Sequence, residues 1–309
     1  MDSIPPVVLA VLTFRRNDLL AQALPLLAEQ VRQAGPDASL LVVDNDPAGG
    51  AREVVEGTDL GITVRYVNET APGLAAARNR ALDEAGSANL LAFIDDDETP
   101  AAGWLQHLVR TWRATGAPAV TGPVRSVPVR ELDEWTRGTA IFRRETGTTG
   151  AERRGMATNN LLLDMNWIRA HGVRFDARFG LTGGEDSKFG QDLRAAGGHV
   201  VWCDEAEVSE TVPAERLDHD WISKRLTRFG ESWVRARVID RSGADALRFR
   251  ATTLARGAVR TGKGQTGLLI ASRRGDQLAE GRAAAERAGG LGLLRGAIGI
   301  NREEYGRKA

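Results

Sequence analysis

A single cysteine, Cys203, stands in a chain of 309 residues, so no intrachain disulfide can form and no multi-cysteine metal site exists. Four histidines leave little material for zinc chemistry. Net charge is missing too. The 41 basic and 41 acidic side chains cancel, whereas a dedicated nucleic-acid binder carries a clear basic excess. No apolar run approaches the ~18 residues of a membrane span. The N-terminus reads Met1-Asp2-Ser3-Ile4-Pro5-Pro6, with an acid where a secretory leader needs bases, so the expected compartment is the cytoplasm. With 42% hydrophobic and 27% charged residues, the composition is that of an ordinary folded chain. The length suggests about two domains, or one domain with a substantial extension.

The first hundred residues alternate between two periodicities. Apolar runs at Val7–Thr13, 39–44, 62–67 and 89–94 have the length of buried strands. Between them, 18–34 places Leu19, Leu20, Ala23, Leu24 and Leu27 on one helical face, a short helix around Glu53 follows the Pro47-Ala48-Gly49-Gly50 turn, and 74–85 is helical. Strand and helix alternating at this spacing predict an α/β fold with a mostly parallel central sheet and helices on both faces. Beyond the helix Trp104–Thr115 the pattern loosens, and 126–156, rich in Arg, Glu, Gly and Thr, reads as a mobile excursion. A strand at 158–164, a helix at Glu185–Ala195 and short strands at 199–202 and 207–211 follow, with helical spacing from Asp220 onward.

Open sheets of this kind bind ligands beyond the carboxyl ends of their strands. There the sequence places Thr13-Phe14-Arg15-Arg16, Asp44-Asn45-Asp46, Asn68-Glu69 and Asp95-Asp96-Asp97. Three adjacent carboxylates repel one another unless something positive sits among them, and all-oxygen ligation suits Mg²⁺ or Mn²⁺. An exposed acidic turn is the plain alternative. Asp95-x-Asp97-x-Thr99 also fits the nucleophile motif of haloacid-dehalogenase-like phosphatases. That motif sits on the first strand of its domain, with a lysine later. Here three strands come first, and the lysines are Lys188, Lys224, Lys263 and Lys308 alone.

Leu12-Thr13-Phe14-Arg15-Arg16, Val42-Val43-Asp44-Asn45, Gly73-Leu74-Ala75-Ala76-Ala77-Arg78-Asn79, Asp95-Asp96-Asp97 and Gly183-Gly184-Glu185-Asp186 follow in order. Together they resemble the motifs of family 2 glycosyltransferases with the GT-A fold, over about residues 7 to 235. Within that family, Trp202-Cys203-Asp204-Glu205-Ala206 and Glu210-Thr211-Val212-Pro213-Ala214-Glu215-Arg216 resemble the succinoglycan-type glucosyltransferases of bacterial polysaccharide assembly.

The resemblance implies a metal-dependent inverting transfer of a sugar from a nucleotide-diphospho-sugar to an acceptor hydroxyl. The acceptor would be a sugar, a lipid-linked molecule or a small molecule. Thr13, Phe14 and Arg16 would line the base and ribose, where an ordinary strand-to-helix turn is the alternative. Asp44 and Asn45 would reach the base edge, unless they serve as a cap or Asx-turn. Arg78 would steady the diphosphate or a carboxylate of the triad, the bland reading being a surface ion pair. Asp95 and Asp96 would hold the donor nucleotide, and Asp97, with Asp95, the metal. Asp186 would be the general base and Glu185 the fallback, unless both are simply acids at a helix start.

Asn159, Asn160, Arg216 and Trp221 would flank the acceptor, although a Trp at helical spacing is more often core. Many relatives complete the metal shell with a His. Here that position aligns with Ser209, next to Glu210, and His219 is off-register. A nucleotidyl- or phosphoryl-transfer enzyme on a related sheet and a non-catalytic nucleotide-binding module are the competing readings. The second carboxylate at Gly-Gly-Glu-Asp separates the module from an enzyme.

The zero net charge hides a split. Residues 241–309 hold 14 Lys and Arg against 6 Asp and Glu, leaving the first 240 residues at −8 and the rest at +8. The expected organisation is therefore a catalytic domain over 1–240, with a nucleotide-sugar half to about 125 and an acceptor half from 126, and a basic helical extension over 241–309. Leu268-Leu269-Ile270 and Leu291-Gly292-Leu293-Leu294 beside Arg273, Arg274 and Arg295 suit three roles for that extension. It can make peripheral contact with the inner membrane face, form a homodimer, or dock on the acidic half.

Overall fold

Val7–Thr13 is almost wholly apolar and rich in β-branched residues, and it forms the central strand β1 of the computed structural model, which describes residues 4–180 and 183–300. β2 (Ala38–Asp44), β3 (Val64–Asn68) and β4 (Leu90–Asp95) run parallel to it in the order β3-β2-β1-β4. The register sets Thr13 beside Asp44, Asp44 beside Asn68 and Leu12 beside Asp95. Four strand ends therefore finish on one line. The connecting helices are α1 (Asn17–Ala34), α2 (Arg52–Gly57) and α3 (Leu74–Glu84).

Successive strand residues point to opposite faces, and both faces are covered. Leu9, Val11, Leu40 and Val42 pack with Leu20, Leu24 and Leu27 of α1 on one side. Ala10, Leu41, Val43 and Phe93 pack with Ala77 and Ala81 of α3 on the other, where Phe175 stacks on Phe189 at 4.2 Å and meets Phe93 edge-on.

Past β4 the sheet changes direction. β5 (Glu98–Pro100), α4 (Trp104–Thr115), β6 (Ala119–Thr121), β7 (Val124–Pro128), α5 (Glu134–Thr139), β8 (Glu152–Arg153), β9 (Asn160–Asp164), α6 (Met165–His171), α7 (Glu185–Ala195), β10 (Val200–Trp202) and β11 (Val208–Val212) follow. β9 inserts antiparallel between β4 and β6, and β10 and β8 complete the eight-stranded sheet. A second sheet, β5-β11-β7, lies beside it and sets Glu210 opposite Glu98.

The mobile excursion expected at 126–156 needs correction. β7 pairs with β11, α5 packs against the C-terminal helices, and β8 edges the main sheet. Arg144 ties the segment down through Glu207 at 2.6 Å and Asp204 at 3.3 Å. The polar composition suggested looseness, but the segment is ordered by pairing with strands far away in sequence.

α8 (His219–Val238), α9 (Gly243–Arg274) and α10 (Gln277–Ala297) close the chain. α10 lies against α9, α8 and α5. It approaches α8 so closely that a side chain on Gly292 would run into the Thr227 carbonyl.

Candidate active site

The strand ends converge on carboxylates. Thr13, buried at the end of β1, donates its hydroxyl to Asp96 Oδ2 at 2.7 Å. Three residues on, Arg16 Nη1 donates to Asp96 Oδ1 at 3.1 Å and to Asp97 Oδ2 at 3.2 Å. Burial works against the charge of Arg16, but Asp96 and Asp97 outweigh it and hold the guanidinium above its ordinary value. Burial pushes the Asp95 carboxyl up to about 6, with Arg78 pulling down and Asp97 and Asp96 adding to the rise. Burial, and then Asp95, lift Glu98 well above the ordinary carboxylate range. Glu98 accepts from Asn159 Nδ2 at 2.6 Å. Glu210, across the small sheet, accepts from Ser126 Oγ at 2.9 Å. Arg216 spans the gap, 3.9 Å from both Glu210 and Asp97.

Five carboxylates thus lie together, with Arg16 and Arg216 at ion-pair distance and Arg78 acting on Asp95 from α3. Among the described residues, no three His, Cys, Asp or Glu side chains are gathered so as to hold a metal between them. The excess of oxygen donors and negative charge still fits a hard divalent cation that takes one or two protein ligands and completes its shell with phosphate and water.

Asp44 and Asn45 are taken up by the protein. Asp44, fully buried, accepts from Asp46 N at 2.9 Å, Ala51 N at 3.0 Å and Tyr66 Oη at 2.8 Å. Burial and that bond push Tyr66 up to about 12. Asn45 donates to the carbonyls of Glu69 and Ala71 at 2.9 and 2.7 Å and accepts from Gly73 N at 3.0 Å. Both residues brace loops, as the cap or Asx-turn alternative to a base-edge contact has it. Phe14, by contrast, is 38% exposed, with the Arg15 guanidinium 5.1 Å from its ring centre.

Gly73, at φ +103, lets the backbone enter α3 directly against Gly180, and Leu74 N donates to the Gly180 carbonyl at 3.1 Å. Arg78 on α3 is buried, ion-paired with Glu185, and 5.7 Å from the Phe175 ring centre. Burial raises the Glu185 carboxyl against the pull of Arg78. Asp186, one residue along the first turn of α7, is only partly buried. The two acids are therefore different. Glu185 is locked inward by Arg78, and Asp186 is half-buried, its Oδ1 accepting from Ser187 N at 2.5 Å.

The model of the family described as "Glycosyl transferase family 2" matches residues 9–177, more than half the chain. The chain belongs to glycosyltransferase family 2. Succinoglycan biosynthesis protein ExoM of Rhizobium meliloti (strain 1021) is 35% identical over 226 residues, 72% of each chain. Among solved structures, mannosyltransferase PcManGT from Pyrobaculum calidifontis, in complex with GDP-Man and Mn²⁺, aligns with TM-score 0.60 and 16% identity, covering 94% of this chain and 87% of that one. S. aureus TarS 1-349 in complex with UDP aligns with TM-score 0.52 and 15% identity, covering 90% of each. The mixed sheet and surrounding helices have the GT-A fold.

In this family 2 glycosyltransferase, Thr13, Arg16, Asp95, Asp96 and Asp97 come together as one cluster. Arg78 is not a surface ion pair. It is buried and acts on both Glu185 and Asp95. Arg216, expected on the acceptor side, is carried by the turn after β11 to within 3.9 Å of Asp97 and Glu210. Asn159 reaches the cluster through Glu98.

Asn160 does not face a cleft. It is buried, bound to Trp104 Nε1 and the carbonyls of Pro123 and Ala206, because the two sheets meet there. Trp221 sits half-exposed in the first turn of α8, which Asp218 caps. His219 pairs with Asp133 at 2.8 Å and stacks on Trp135, away from any metal role.

Sequence reading missed Glu98, although it follows the aspartate triad directly. It named Glu210 as the start of the 210–216 motif and as the neighbour of Ser209, without a role at the site. The strand pairing of β11 with β5 is what brings Glu210 to the site.

Proposed function

We propose that this glycosyltransferase moves a sugar from a nucleotide-diphospho-sugar to an acceptor hydroxyl with inversion at the anomeric carbon and the help of Mg²⁺ or Mn²⁺. The observation that carries the reading is the pairing of two features. A carboxylate and arginine cluster lies at the strand ends, and the half-buried Asp186 lies at the start of α7, joined to it through Arg78 and Glu185.

Phe14 offers an exposed face to a nucleobase, and Thr13 and Asp96 set the floor beneath it. Arg16 and Arg216 place positive charge beside Asp97, where a diphosphate would lie. Asp97 and Asp95 would hold the divalent cation, which when bound neutralises charge growing on the departing diphosphate. The Asp186 carboxylate takes the proton of the acceptor hydroxyl as the new glycosidic bond forms. Arg78 and Glu185 position α7 for that step. GDP-Man and Mn²⁺ in the mannosyltransferase complex and UDP in the TarS complex support this donor class. The ExoM likeness supports an acceptor from polysaccharide assembly.

The test is a screen of nucleotide sugars by calorimetry with Mn²⁺ or Mg²⁺, followed by Asp186→Asn. The variant is expected to keep donor affinity and lose turnover by about 100-fold or more. Full turnover in that variant would remove Asp186 from the role.

A further inference from the structure

α9 turns one stripe inward and leaves the other bare. Thr253, Gly257, Gly264 and Ala271 are buried, at spacings that return to one side of the helix, and α10 packs on this helix. Half a turn away lie Ala251, Ala255, Val259, Gly262, Thr266 and Leu269, all exposed. Val259 is 73% exposed and Leu269 54%, with Leu247 at 70% and Ile270 at 47% along the edges. Scattered exposed apolar side chains need no explanation, but a face of small and apolar residues that runs along one 32-residue helix, with Arg248 and Arg273 at its ends, does.

The charge carried by α9 itself is mostly of one sign, while Asp276, Glu280 and Glu286 lie along its border with α10. α9 holds seven Arg and Lys and a single acid, Asp245, which Arg241 engages at 2.7 Å. Arg260 pairs with Glu286 at 3.1 Å, and Arg250 donates to the Ala297 carbonyl. The other five, Arg248, Arg256, Lys263, Arg273 and Arg274, form no ion pair among the described residues. Arg256, Lys263 and Arg274 lie near one another around the helix axis, on one flank of the apolar stripe. Beside them, between α9 and α10, runs a groove of about 750 Å³ whose lining includes Gly267, Ala271 and Ala283 together with Lys263, Arg274 and Arg282.

We propose that the outward face of α9 is a docking surface for an anionic lipid bilayer. Its apolar stripe would sink into the headgroup boundary while the flanking cations meet lipid phosphates. The groove has an apolar floor, and its rim carries Lys263, Arg274 and Arg282 against Asp276 and Glu286, so the cations that meet lipid phosphate are those exposed on α9. Among the described residues no helix is long and apolar enough to cross a membrane, so the contact is one of lying on the surface. A two-fold dimer through this face would set unpaired cations against their own copies, which disfavours it. α10 stands between α9 and both α8 and α5, so the bilayer would meet the helical layer on the side away from the sheet. This inference stands apart from the transfer reading.

Flotation of the full chain with vesicles of phosphatidylcholine alone, and with about 30% phosphatidylglycerol, tests it. Roughly tenfold more protein should float with the anionic vesicles, and high salt should release it. The double variant Arg256→Glu/Lys263→Glu should lose flotation, and Val259→Asp/Leu269→Asp should lose it independently. Thermal melting checks that these exposed positions leave the fold intact. Equal flotation with both vesicle types, flotation unchanged in either double variant, or a stable dimer in solution that Val259→Asp/Leu269→Asp dissociates would overturn the proposal. Each reading is taken without any sugar transfer, so failure here and failure of the transfer reading are separate results.

Discussion

The cleft at the strand ends and the outward face of α9 handle charge in opposite ways. In the cleft, acids are crowded, buried and shared: Asp96 is held by Thr13 and Arg16, and Glu185 by Arg78. On α9, cations stand in solvent with few acids near them. Buried charge costs several kcal/mol per ion unless matched, so its arrangement is specific and intolerant of change. Exposed charge costs little and is screened by salt, so its value lies in what approaches it. The zero net charge conceals this contrast, since it sums −8 over residues 1–240 and +8 over 241–309.

The sharpest break of the contrast comes from the cleft. Asp97→Ala should lower turnover by about 1000-fold or more, and chelation of divalent cations should silence the unaltered chain until Mn²⁺ or Mg²⁺ is restored. Initial-rate assays check both. Glu185→Ala should take the ion-pair partner from buried Arg78 and destabilise the fold by about 3 kcal/mol or more, read from urea unfolding. A drop under about 1 kcal/mol would mean that the pair is not buried as described. Gly292→Val should force α10 off the Thr227 carbonyl at a cost of roughly 1–3 kcal/mol, with the cleft's donor affinity intact. The smallest effect belongs to α9. Arg256→Glu/Lys263→Glu should change stability by no more than about 0.5 kcal/mol in the same urea titration.

How far residue patterns reach is visible in particular side chains. Thr13, Arg16 and the triad Asp95-Asp96-Asp97 could be read early because each follows an apolar strand and parallel strands end together. The central strands and α1, α3, α4 and α7 follow from periodicity for the same reason. The bracing partners of Asp44, Ala51 N and Tyr66 Oη, could not be read because they come from other loops and strands. The same holds for Asn160, whose partners lie 37 to 56 residues away. β5 and β8, at three and two residues, carry no usable period, and with them went the placement of Glu98 and Glu210. The segment around α5 looked loose because the surface that orders it, α10, is far along the chain.

The central claim is that Asp186 and the carboxylate cluster act from opposite sides of one sugar. The configuration of the product, followed by NMR with whichever nucleotide sugar the binding screen selects, tests this most directly. The account predicts a glycosidic bond of inverted anomeric configuration. A product that retains the donor's configuration would contradict it.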